Sequence, residues 1–75
     1  MSFGFVLIRR QVRESDEWFT VADLHHRAGG HINRSTLLRQ LHREVDRRWI
    51  ESRKVTEGGK PGWHYEFRRG PEWNA

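Results

Sequence analysis

The hydrophobic rhythm of the chain changes once, at Trp49, and that change restricts what it can fold into. Before Trp49 apolar residues recur at helical spacing; after it they alternate, as along one face of a strand. Phe5, Ile8 and Val12 fall at i, i+3 and i+7 and predict a helix that Ser2 can cap, although Phe5-Val6-Leu7-Ile8 also reads as a strand. Glu14 to Glu17 reads as a loop, and Trp18-Phe19 as a bridge-like strand. Thr20 is an N-cap with Asp23 three residues on. Val21, Leu24 and Ala28 then form a short apolar stripe, which Gly29-Gly30 ends by admitting left-handed backbone. Asn33 or Ser35 opens the next helix, which runs to about Arg48 with Leu38, Leu41 and Val45 on one face and Leu37 beside them. Trp49 to Val55 is a plausible strand, Thr56 to Gly62 a Gly- and Pro-bearing turn, and Trp63 to Arg68 a strand with aromatics on one side.

At 75 residues this is one small domain, placed over residues 1–70, with 71–75 as a loose tail. The four Trp supply large buried areas with few rotatable bonds. The absence of cysteine excludes a disulfide or a thiolate zinc site and fits a reducing setting, so a cytoplasmic address is expected. No apolar run is long enough to cross a bilayer, and Phe5 to Ile8 is too short for a secretory signal. The net charge of +4 is unevenly spread. Residues 1–32 carry four basic and four acidic groups, whereas residues 33–75 carry ten and six. A basic half on a small domain points to a polyanionic partner; the plainer reading is a solvated surface.

The order helix, short strand, helix, turn, helix, hairpin resembles the winged helix-turn-helix superfamily. Thr20-Val-Ala-Asp-Leu24 resembles the first helix of its pair, Ile32-Asn-Arg-Ser-Thr-Leu-Leu-Arg-Gln-Leu41 the opening of its recognition helix, and Trp49 to Phe67 its wing. The resemblance implies an α+β fold of three helices followed by a two-stranded β-hairpin wing, and a function in binding double-stranded DNA. Many members carry a glycine between recognition helix and wing, where this chain has Arg48-Trp49.

The residues point to the same place independently. If Leu38, Leu41 and Val45 face the core, Thr36, Gln40, Arg43 and Arg47 lie opposite, with Arg39 alongside and the acids Glu44 and Asp46 on the flanks. Arg can bond guanine and Gln adenine from the major groove. Asn33, Arg34, Ser35 and Thr36 stand at the helix start, where free amides favour phosphate. Arg53, Lys54 and Lys60 would add backbone contacts from the hairpin. Trp63, Tyr65 and Phe67 can be platforms for unpaired bases, but their alternation better fits a hairpin lidding a core, and Trp18, Phe19 and Trp49 are expected there too. Trp73, if ordered, would pack on a partner chain. The five His lack metal-ligand spacing. No metal, cofactor, catalytic residue or small-molecule substrate is expected. The expected function is that of a small transcriptional regulator or mobile-element control protein, possible as a homodimer. The alternative is an interaction module whose basic face docks an acidic protein.

Overall fold

A computed structural model describes residues 2–74. Three helices, α1 (Phe3–Glu14), α2 (Val21–Arg27) and α3 (Arg34–Asp46), precede a two-stranded antiparallel sheet of β1 (Ile50–Val55) and β2 (His64–Arg69), so the class is α+β. Each helix starts where a side chain satisfies an amide that has no intrahelical partner. Ser2 Oγ accepts from Phe5 N–H at 3.1 Å, and Asn33, not Ser35, caps α3 by accepting from Thr36 N–H at 2.8 Å. Thr20 and Asp23 form a full capping box: Thr20 N–H donates to Asp23 Oδ2 at 2.8 Å, and Asp23 N–H to Thr20 Oγ1 at 3.1 Å. Gly29, with φ 61°, follows α2 and turns the chain toward α3.

β2 is flanked on both sides. It pairs with β1 from Ile50↔Arg69 to Val55↔His64, and Phe67 exchanges two backbone bonds with Phe19 at 2.7 and 2.8 Å. The short strand expected at Trp18-Phe19 is therefore a bridge at Phe19. Side chains of Ile8, Leu24, Leu37, Leu41, Ile50 and Phe67 are fully buried at the junction of helices and sheet. Burial of Phe67 from β2 and of Leu37 and Leu41 from α3 holds the hairpin beside that helix.

Several expectations are corrected. The inner stripe of α3 is Leu37, Leu41 and Glu44, while Leu38 and Val45 are half-buried. The α1 face is Leu7, Ile8, Gln11 and Val12, with Phe5 at its edge. The aromatic row of β2 tapers outward: Phe67 is 0% exposed, Tyr65 half-buried and Trp63 53% exposed. Trp18 is half-buried on the hairpin's other face, outside the core. Trp73 is not loose. It stacks on Phe5 at 6.0 Å between ring centroids and meets Trp49 edge-on at 5.6 Å.

α3 ends two residues before Arg48, and Arg48 itself takes the left-handed conformation, φ 63°. Arg48 N–H donates to Val45 O at 2.9 Å and Trp49 N–H to Glu44 O at 3.0 Å, the two bonds of a Schellman cap. Arg48 thus takes a backbone conformation that glycine adopts more readily.

Candidate nucleic-acid interface

Rotation of α3 decides which side chains reach solvent. With Leu37, Leu41 and Glu44 inward, a step of about 100° per residue puts Ser35, Arg39 and Asp46 furthest out, with Arg43 and Thr36 next on the α1 side. All five are exposed. The expected outer stripe is therefore turned by about one residue, and two of its members, Gln40 and Arg47, are occupied. Gln40 is half-buried and donates from Nε2 to Glu44 Oε1 at 2.9 Å, while Arg47 Nη1 lies 3.5 Å from the same oxygen and its guanidinium 5.8 Å from the Trp49 ring centre. Glu44 is fully buried, not flanking, and its second oxygen has no hydrogen-bond partner. A buried carboxylate holds its donors tightly, because a bare charge in the interior is costly. Gln40 and Arg47 thereby serve the fold.

At the helix start Asn33 Oδ1 accepts from both Thr36 N–H and the Ser35 hydroxyl, at 2.8 and 2.9 Å. The Asn33 and Ser35 side chains are thus committed to the cap, whereas Thr36 contributes only its backbone N–H. Arg34, Arg39 and Arg43 are exposed and have no carboxylate within ion-pair distance among the described residues.

The hairpin sorts its charges by face. Strand alternation puts Glu51, Arg53, Glu66 and Arg68 on the side away from α3. There Arg53 grips Glu66 at 2.6 and 2.8 Å, Arg68 bonds Glu51 at 2.9 Å, and both guanidinia cover Trp18, at 4.1 and 4.5 Å from its ring centre. Arg53 is thus separated from the residues it was expected to join. Lys54 is on the α3 side, its Nζ 4.7 Å from the centre of the Trp63 ring. Lys60, at the tip, is 3.6 Å from Glu57 and well exposed. His42 packs edge-on to Tyr65 at 4.9 Å, between α3 and the hairpin.

Three of the four acids of the first half are also committed, Glu17 being the exception among the described residues. Glu14 pairs with Arg27 and Asp16 with Arg69, while Asp23 caps α2. The hydrogen bond from Arg27 holds the Glu14 carboxyl below its ordinary pKa, outweighing the desolvation that opposes it. That leaves Arg10 and Arg13 exposed on α1, a basic surface hidden by the even charge count of residues 1–32.

A feature that charge and periodicity did not single out lies between α3 and the hairpin. Val21, Ala22, Leu38, Tyr65 and Trp63 line an open groove of about 340 Å³, with Arg34 and His64 at its sides. Its sequence signals are the alternation of Trp63 and Tyr65, which fits base platforms second to a core lid, and the position of Trp63 directly after the Gly- and Pro-bearing turn. Among the described residues no group of three His, Cys, Asp or Glu comes together, and no helix is long and apolar enough to cross a membrane. No protein-family model, curated protein or solved structure matches this chain.

Proposed function

We propose that this chain is a winged-helix domain that binds double-stranded DNA, with the first three turns of α3 in the major groove and the hairpin, as the wing, beside the adjacent backbone. The observation that carries this reading is the partition of charge. Arg34, Arg39 and Arg43 project from α3 without carboxylate partners, whereas Arg53 and Arg68, on the hairpin's far face, are each neutralised by a neighbour. A desolvated or paired cation has little left to offer phosphate; a free one releases counterions when it binds. Arg39 and Arg43 are placed to meet base edges, with Thr36 beside them, and Lys54 to meet phosphate; Lys60, exposed at the tip, would exchange its pairing with Glu57 for a phosphate. Asp46 sits at the far end of the exposed stripe and keeps the contact toward the start of the helix. A domain this small makes few contacts, so selective binding calls for a dimer or several copies along DNA, as in a compact transcriptional regulator or mobile-element control protein.

Fluorescence anisotropy with a labelled mixed-sequence duplex tests the reading. Affinity is expected to fall steeply as salt rises from about 50 to 200 mM. Arg39→Ala and Arg43→Ala should each weaken binding, and Lys54→Ala should lower the salt slope by about one, with the melting temperature unchanged in all three. Absence of duplex binding at the lowest salt would refute it.

A further inference from the structure

Trp63 is the largest side chain that the fold leaves open, and its surroundings are those of a site. It is 53% exposed, stands edge-on to Tyr65 at 4.9 Å between ring centres, and has Lys54 Nζ 4.7 Å from its own ring centre. Both rings line the groove of about 340 Å³ between α3 and the hairpin, where Val21, Ala22 and Leu38 complete an apolar floor. No carboxylate lines it, and Arg34 at its side has no ion-pair partner among the described residues. An aromatic wall with Arg34 at its side and Lys54 held on the Trp63 ring complements a flat apolar ring attached to an anion.

We infer that this groove takes one unpaired nucleobase of a DNA strand, stacked against Trp63, with the phosphates on either side of the base held by Arg34 and Lys54. The inference rests on the DNA-binding reading and extends it, because the groove opens beside the same first turn of α3. A base inside a duplex is stacked on its neighbours and cannot enter; a base in a single-stranded extension is free to do so. The domain therefore prefers a duplex that ends in, or is interrupted by, single strand. Stacking tolerates any base, since each has a π-face, so the groove reads strand state and not sequence.

The test compares a blunt duplex, the same duplex with a three-nucleotide single-stranded extension, and that extension built from abasic sugars. The extension is expected to bind about tenfold tighter than the blunt duplex, the abasic extension like the blunt one. Trp63→Ala should abolish the preference while leaving blunt-duplex affinity unchanged, and Trp63→Phe should retain most of it. Equal affinity for the first two probes overturns the groove's role and leaves duplex binding standing. Binding of the extension strand alone, with none to blunt duplex, supports the groove and removes the duplex reading. An abasic extension as tight as the complete one shows that phosphates alone are held and overturns the inference. So does tighter capture of an acidic peptide bearing one aromatic residue, which reassigns the groove to a protein partner.

Discussion

Arg48 carries a backbone conformation that its side chain disfavours. At φ 63° the Cβ of any L residue crowds the following carbonyl, costing roughly 1 kcal/mol or more relative to glycine. The conformation persists because it closes the Schellman cap of α3 and turns Trp49 and Ile50 toward the core. Arg48→Gly is therefore expected to raise stability by about 0.5–1 kcal/mol, the strain relieved less the extra freedom of the unfolded glycine. Gly70 is the complementary case. A Cβ there would lie 2.7 Å from Arg48 O and 2.9 Å from the Trp49 carbonyl carbon, and its N–H donates to Trp49 O at 2.7 Å. Both neighbours are backbone and cannot swing aside, so Gly70→Ala should cost about 1–3 kcal/mol. Urea midpoints at unchanged m-value measure both. A less stable Arg48→Gly protein, or a neutral Gly70→Ala, contradicts this account of the turn.

Among the elements, the hairpin shows most directly how a face decides a residue's work. Arg53 and Lys54 are adjacent in sequence and equally basic, yet alternation sends them to opposite sides. Arg53→Ala breaks its bond to Glu66 and uncovers Trp18, so it should lower stability by roughly 1 kcal/mol while leaving duplex affinity within about twofold. Lys54→Ala should do the reverse. Parallel urea and anisotropy measurements separate the two, and a weakened duplex affinity for Arg53→Ala would return that residue to the interface. The strands themselves were legible from the alternation of Trp63 to Phe67 and the turn before it. Which face carries the free charge was not, because that depends on cross-strand partners thirteen and seventeen residues away. The same limit applies to α3. Its apolar residues support two nearly equivalent rotations, one centred on Leu38 and Val45 and one on Leu37 and Leu41. The second is the one adopted, and it packs Leu37 over Gly4 of α1, where a notional Cβ would sit in ordinary contact at 3.7 Å. That rotation buries Glu44, an outcome that residue type argues against and that Gln40 and Arg47 compensate.

At the scale of the whole molecule, the helix order, the three N-caps and the site of the hairpin follow from local signals, since capping and periodicity act over a few residues. Packing of Trp73 does not, because it joins parts of the chain that sequence order keeps far apart. Phe5 comes from the first turn of α1, Trp49 from the turn after α3 and Trp73 from beyond β2, and their rings lie 5.6–6.1 Å apart. Gly70 and Glu72 tie that segment to Trp49 and Arg48 through backbone bonds. The cluster thus closes the base of α3 on the side away from the groove. Trp73→Ala should lower stability by about 1–3 kcal/mol, less than for a fully buried tryptophan because the ring is only half-buried. The loss should be shared with Phe5→Ala in a double-mutant cycle, giving a coupling of roughly 0.5–1.5 kcal/mol, since each ring is the other's contact. Duplex affinity should be unchanged in Trp73→Ala, because the free arginines of α3 lie outside the cluster. Strict additivity of the two substitutions would show that the rings do not support one another, and would leave the segment after Gly70 held by its backbone bonds alone.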